Sequence, residues 1–240
     1  MSSLAFSSFS LIGVDAQKFL QGQLTLNTEA TAENVTRYTA ICNLKGRILF
    51  GLWLKKITAE HFEIVTTQDQ AEAFAQHVKK YGAFSKMKLE ATGSVYPQID
   101  GIQTEFSNNE TDINAWQAQA ISSGQAWISS QTAELFQPQE LRLHQRDGVH
   151  FDKGCYLGQE IVARLWFKAQ PKSWLHLVQG QGDAPAVATQ LSRNVQVVNS
   201  IANADGYQAL VIAKPDALAE LSLENIELPE ALNGSVARPQ

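Results

Sequence analysis

The sequence predicts an α+β protein with a mostly antiparallel sheet, followed by a small all-β module. Three observations lead there. Leu44-Lys45-Gly46 is a hairpin signal between two β-prone runs. A third β-prone run passes directly into an amphipathic helical pattern. Beyond Pro171-Lys172, short alternating segments separated by Gly, Asp and Asn turns describe a small β-barrel or β-sandwich. The joint at Pro171 divides the chain into 1–170 and 171–240, and 240 residues suffice to bury a large core.

Taken in order, Leu11-Ile12-Gly13-Val14 reads as a short buried strand. A helix follows to about Gln21, with Asp15 as N-cap, Phe19 and Leu20 turned inward, and Gly22 as its end. Gln21 and Gln23 read as solvated amides around that joint. The hairpin strands are Arg37–Asn43 and Arg47–Leu54; the second is apolar almost throughout and should be covered on both faces. Cys42 falls inside the first. His61–Thr67 is the third strand. Ala71, Phe74, Ala75, Val78 and Tyr81 then recur at helical spacing, with Asp69 and Glu72 in the pattern of a capping box. From Thr92 to Asp112 the chain turns polar, with Gly93, Pro97 and Gly101, and reads as one weak strand and a loop. Asp112 caps a short helix that carries Trp116 and closes at Gly124. A tryptophan there is a core anchor or a flat face for a heteroaromatic ligand. In the C-terminal part the strand-like segments are Trp174–Val178, Val195–Val198, Tyr207–Ile212 and Leu223–Leu228.

Composition narrows the function classes. A net charge of −5 argues against a broad nucleic-acid or anionic-membrane surface, though a local basic patch would survive it. Direct nucleic-acid binding is therefore not expected. Two cysteines without a CxxC pair argue against a disulfide scaffold and against a cysteine-rich zinc or iron–sulfur site held by this chain alone. Met1–Phe9 has neither a basic n-region nor a long apolar run, so the expected compartment is the cytoplasm, with no membrane partner. There is no GxGxxG after a strand, no GxxxxGK[ST] and no HExxH.

One stretch concentrates chemistry: Lys153-Gly154-Cys155-Tyr156-Leu157-Gly158-Gln159-Glu160-Ile161-Val162-Ala163-Arg164. From Gly158 onward it reads as a short helix, with Glu160 and Arg164 in the favourable i,i+4 order. Cys155 would sit in the turn leading in, where the helix N-terminus and Lys153 both favour thiolate over thiol. The competing reading is a cysteine packed as a small hydrophobe. His150, five residues upstream, makes a Cys/His pair conceivable but brings no third orienting group.

The octapeptide Lys153–Glu160 with Val162-Ala163-Arg164 resembles the signature of the YgfZ-type folate-binding proteins, relatives of the glycine-cleavage T-protein (aminomethyltransferase) implicated in iron–sulfur cluster assembly or repair. Gly13-x-Asp15-x-x-x-Phe19-Leu20-Gln21-Gly22-Gln23 is similar to that family's N-terminal motif, and Asn43-Leu44-Lys45-Gly46-Arg47 to its hairpin turn. Lys80-Tyr81 with Phe84-Ser85-Lys86, Phe136-x-Pro138 and Gly148-Val149-x-Phe151 extend the likeness over most of the chain.

The resemblance implies a T-protein-like α+β body over 1–170, shortened around 87–115, a C-terminal antiparallel β-barrel over 171–240, and a cavity for tetrahydrofolate. It implies folate contacts at Trp116 and, through a smaller ring than the family's tryptophan, at Phe6. Cys155 is then the functional thiol, helped by Lys153, with Tyr156, Gly158, Gln159, Glu160 and Arg164 supporting the loop. The T-proteins carry an acidic pair just after the hairpin turn; Ile48-Leu49-Phe50-Gly51-Leu52 stands there and holds no carboxylate, so glycine-cleavage activity is not expected. The implied role is a folate-binding accessory for iron–sulfur cluster assembly or repair, acting on tRNA modification indirectly through iron–sulfur enzymes or cluster-assembly proteins, with no resident metal. The alternative is a folate-dependent aminomethyl or methyl transferase or demethylase.

Overall fold

Alternation along Phe6-Ser7-Ser8-Phe9-Ser10-Leu11 sends successive side chains to opposite faces of a strand, and this sorts the protein into layers. The computed structural model describes residues 4–100, 103–233 and 235–238, with Ile99 and Asp100 by their backbone alone. Met1–Ser3 and Gly101, which entered the reading above, lie outside them. The strand is β1 (Phe6–Ile12), which starts earlier than the sequence suggested and ends before Gly13 and Val14; Ile12 and Val14 are exposed, not buried. Strand β1 occupies the middle of a six-stranded antiparallel sheet with β2 (Thr36–Cys42), β3 (Ile48–Thr58), β4 (His61–Thr67), β5 (Lys88–Asp100) and β6 (Gln103–Ser107), in the order β2-β3-β4-β1-β5-β6.

On one face, Phe9 and Leu11 join Leu52, Leu54, Phe62 and Ile64 beneath α1 (Ala16–Gln21) and α2 (Ala71–Tyr81). Helix α2 buries Phe74 and Val78, which the 3.6-residue period had aligned. On the other face, Phe6, Tyr38, Trp53 and Val65 pack with Trp116 of α3 (Ile113–Ser122), Phe136 and Leu141. Strand β3 is covered on both sides, as its apolar run required.

The sheet curls. Thr36 on β2 and Glu105 on β6 come from strands at opposite edges, yet Thr36 Oγ1 donates to Glu105 Oε2 at 2.7 Å. The result is a half-barrel with a concave inner surface.

The C-terminal part is a second antiparallel sheet of β7 (Trp174–Gly180), β8 (Gln190–Ser192), β9 (Val195–Asn203), β10 (Gly206–Ala213) and β11 (Glu224–Ile226). Its order is β11-β7-β10-β9-β8. No pairing among the described residues joins β8 to β11, so the closure expected of a barrel is not seen among them. Leu175, Leu177, Leu210 and Ile212 on one face enter the same cluster as Trp116. Val178, Val197, Ala209 and Val211 on the other pack with Ala217 and Leu218 of α5 (Pro215–Ala219).

Three local expectations change. The weak strand and loop of 92–112 are instead the β5–β6 hairpin. Pro97 is tolerated there because β1 pairs with β5 only as far as Val95, so no β1 ladder bond is lost. Asp15 holds the N-cap position of α1 but makes no side-chain cap bond; its carboxylate accepts the Lys86 N–H at 2.7 Å instead. Asp69 does not build a capping box; it accepts the Ser130 N–H and hydroxyl at 2.8 and 2.6 Å. Asp112 does cap α3, accepting from Asn114 and Ala115.

Candidate functional site

Three motifs distant in sequence meet along the β2 side of the half-barrel. In the hairpin turn, Asn43 Oδ1 accepts the N–H groups of Lys45 and Arg47 at 2.9 and 3.1 Å, which fixes the loop between β2 and β3. The signature lands on that turn. A Cβ at Gly158, where φ is +79°, would lie 2.3 Å from the Asn43 carbonyl oxygen, and one at Gly46 would lie 2.8 Å from Ile161 Cβ. Only glycines let these two backbones close. The third motif joins through Leu157, whose N–H donates to the Gly22 carbonyl at 3.2 Å.

Lys153 ties the junction together. Its side chain is buried, and Nζ donates to the carbonyls of Gln21, Leu24 and Leu26 at 2.7, 2.6 and 2.8 Å. It also lies 4.8 Å from the centre of the Tyr156 ring. Burial pushes its pKa down from 10.5 to about 7, and Glu29 pulls it back. Three carbonyls can only accept, so this geometry holds the protonated ammonium. The lysine expected beside a thiolate spends every N–H on the backbone of 21–26. Gln21 and Gln23, read as solvated, are engaged too: Gln21 Oε1 accepts from Thr28, and Gln23 Oε1 meets His77 Nε2.

Within this anchored frame Cys155 is exposed, and a Cβ at neighbouring Gly154 would meet nothing within 4 Å. Cys42 is its opposite: wholly buried, with burial pushing its thiol up to about 12. Tyr156 is buried, and its hydroxyl is pushed above the ordinary phenol range by that burial. Gly158 precedes α4 (Gln159–Phe167), whose first turn carries Glu160. Among the described residues no ion pair joins Glu160 to Arg164, so the expected strut at that spacing is not made.

His150 does not serve the thiol. Its Nδ1 accepts the Asn27 N–H at 2.8 Å, which leaves the proton on Nε2, 2.9 Å from Asp147 Oδ1. Both ring nitrogens are therefore taken.

A second feature, missed by the sequence reading, lies inside the half-barrel. Register aligns Thr36, Lys55, Glu63 and Ser10 as one row across β2, β3, β4 and β1, all on the same face. With His61, Glu105 and the rings of Trp53 and Phe106, they line a groove of about 380 Å³. Lys55 Nζ pairs with Glu105 Oε2 at 3.3 Å, and Ser10 meets His61 at 2.9 Å. The buried Trp53 Nε1 has no hydrogen-bond partner. A flat aromatic wall, two carboxylates and an ammonium make a site for a small polar heteroaromatic ligand. Its only trace in sequence was the alternation of serines in β1 and the charges on β3 and β4.

Phe6 and Trp116, expected at the folate site, do come together. Their rings meet edge to face at 5.2 Å, and both pack on Trp53, at 5.5 and 6.1 Å. They are 1% and 3% exposed, and Trp116 Nε1 donates to Thr104. They form the layer behind the groove, whose wall is Trp53 and Phe106. Cys155 is not among the lining residues. The signature docks at the turn end of the β2–β3 hairpin, whereas Thr36 stands at the open end, roughly 20 Å of strand away.

Among the described residues, no group of three or more His, Cys, Asp or Glu side chains is placed to hold a metal ion, and no helix is long and apolar enough to cross a membrane.

No family model matches the chain. It is 28% identical to an uncharacterized protein of Haemophilus influenzae, over 95% of this chain and 98% of that one. It is 24% identical to the tRNA-modifying protein YgfZ of Aliivibrio fischeri, over 93% and 90% of the two chains. With the protein of that name from Photobacterium profundum the identity is 26%, over 93% and 85%. Among solved structures, the glycine cleavage system aminomethyltransferase T of Bartonella henselae superposes with a TM-score of 0.58 at 13% identity, covering 87% of this chain and 76% of that one. Along most of its length the chain is similar in sequence to the YgfZ proteins, and its fold is that of the glycine-cleavage T-protein.

Proposed function

We propose that this protein is a folate-binding accessory of tRNA modification, with tetrahydrofolate held in the half-barrel groove and Cys155 as a functional thiol presented to a partner. One observation carries this reading. A chain similar to tRNA-modifying YgfZ proteins keeps, on an aminomethyltransferase fold, a groove whose groups match a pterin. Glu63 and Glu105 can accept the ring's N–H donors, Trp53 and Phe106 can stack on its face, and Lys55 can meet a carbonyl or the glutamate tail. Folate bound there would supply a carrier for one-carbon units. Phe6 and Trp116 back the aromatic wall and hold it rigid.

The distance between groove and signature favours the accessory role over the transferase. A nucleophile acting on a folate-borne carbon must reach it, and Cys155 does not line the groove. Exposure of the thiol outside the groove supports a meeting with another protein, and the clients proposed are iron–sulfur enzymes or cluster-assembly proteins whose activity tRNA modification needs. The absence of a carboxylate from Ile48–Leu52 in this sequence supports the same choice. The test is restoration of iron–sulfur-dependent tRNA modification in cells lacking the protein. Wild type should restore it and Cys155→Ala should not; equal restoration by Cys155→Ala sinks the thiol.

A further inference from the structure

Phe84 is 102% exposed, at the tip of the turn between α2 and β5. A bare phenyl ring in water brings the fold no burial, so its surroundings matter. The ten residues Lys79-Lys80-Tyr81-Gly82-Ala83-Phe84-Ser85-Lys86-Met87-Lys88 hold four lysines and no acid, in a chain of net charge −5. The turn is rigidly seated. Lys86 N–H donates to Asp15, Asp15 N–H donates back to the Lys86 carbonyl, and a Cβ at Gly13 would lie 2.2 Å from that carbonyl oxygen. A Cβ at Gly82 would touch the Met87 side chain at 2.3 Å and the Phe19 ring at 3.4 Å. These closures put α1, with its exposed Lys18, beside the turn.

The charges there are available. Among the described residues no ion pair takes Lys18, Lys79, Lys80 or Lys86, while Lys88 is paired with Glu90. The Asp15 carboxylate is turned inward to the Lys86 amide, which leaves the exposed Glu60 as the acidic neighbour beside Gly13. Tyr81 is 46% exposed, with Lys80 Nζ 5.1 Å from its ring centre and His77 packed at 4.4 Å on its inner side. Lysines in the last turn of α2 also suit its dipole. That does not account for an open phenyl ring two residues past the helix's C-cap glycine.

We propose that Lys18, Lys79, Lys80, Tyr81, Phe84 and Lys86 form a contact surface for an unpaired stretch of RNA. The ammonium groups would meet phosphates, and the two rings would stack on bases. This combination is what single-stranded nucleic acid requires, since every base has a π face whatever the sequence. RNA is chosen over an acidic protein because two exposed rings stand among the ammonium groups and suit stacking on bases; the proposal rests on the tRNA-modification role above and adds a direct RNA contact to it. A lipid surface is disfavoured because one fully exposed ring flanked by lysines offers little apolar area for insertion.

The test is binding of a labelled transfer RNA to the full-length protein, followed by anisotropy across salt concentrations. Phe84→Ala should weaken binding roughly ten-fold without moving the melting temperature. The double substitution Lys80→Gln/Lys86→Gln should lower the slope of log K against log salt by about 1.4. Equal affinity of wild type and Phe84→Ala, or no saturable RNA binding, overturns the proposal. So does binding to phosphatidylserine vesicles in place of RNA. A parallel tetrahydrofolate titration separates the two readings. Folate binding without RNA binding removes this surface alone, whereas loss of both removes the proposed function as well.

Discussion

Lys153→Met tests what the lysine of the signature does. In the wild type, three charge-assisted bonds to the Gln21, Leu24 and Leu26 carbonyls are each worth about 1.5–3 kcal/mol. Against them stands the cost of burying the ammonium. That cost drags the pKa from 10.5 to about 7 and takes back about 5 kcal/mol. Methionine fills similar space and escapes the desolvation, but it leaves three inward-facing carbonyls without their donor. The bonds exceed the desolvation by about 0–4 kcal/mol, and the stranded carbonyls raise the lower end, so the net loss is about 1–4 kcal/mol. In a chain of 240 residues this lowers the melting temperature by about 3–12 °C. Lys153→Arg should fare no better, because a planar guanidinium cannot address three carbonyls gathered around one tetrahedral nitrogen. The assay is calorimetric or circular-dichroism melting at pH 7. A Lys153→Met protein that melts within 1 °C of wild type would show that the lysine does not tie the 21–26 segment to the signature.

The neighbouring glycines should separate cleanly. Gly158→Ala forces a left-handed residue against the Asn43 carbonyl and should cost about 3 kcal/mol or more, whereas Gly154→Ala, with open space around it, should stay within about 0.5 kcal/mol by urea unfolding. Thiol titration should find one reactive group per native chain, Cys155, and a second, Cys42, only after denaturation; two fast thiols in the native protein would contradict the buried position of Cys42. Acid should weaken the fold between about pH 6.5 and 4. Burial pushes His77, His144 and His176 down to about 4, so the unfolded chain binds more protons than the native one across that window. The histidine contribution is complete above pH 6.5 and falls away as pH drops, by roughly 1–2 kcal/mol per histidine once partial solvent screening is allowed for. Urea midpoints measured from pH 7 to 4.5 check this, and a flat profile would refute it.

What the sequence could reveal was local. The hairpin at 43–47 announces itself through an Asn, a Gly and two β-prone runs, and α2 through its 3.6-residue period; each signal lies within a dozen residues of its cause. Asp15 and Asp69 misled because an N-cap pattern is short, and both carboxylates were captured by donors far along the chain, at Lys86 and Ser130. The β5–β6 hairpin hid behind Gly93 and Pro97, which read as breakers unless one knows that β1 stops pairing at Val95. Lys153 looked like a thiol's counterion because the carbonyls it serves lie more than 120 residues away. The groove is the extreme case. Thr36, Lys55, Glu63, Ser10 and Glu105 come from five strands, and only sheet register and curl bring them together.

The central claim is that tetrahydrofolate binds in the half-barrel groove, apart from the thiol. Isothermal titration of tetrahydrofolate into wild type, Glu105→Gln, Trp53→Phe and Cys155→Ala tests it most directly. The account predicts saturable binding to wild type, weakening by about ten-fold in the two groove variants as a charged acceptor is lost from one and ring area from the wall of the other, and unchanged affinity in Cys155→Ala. Absence of saturable binding to wild type, or binding lost in Cys155→Ala while both groove variants retain it, would contradict the account.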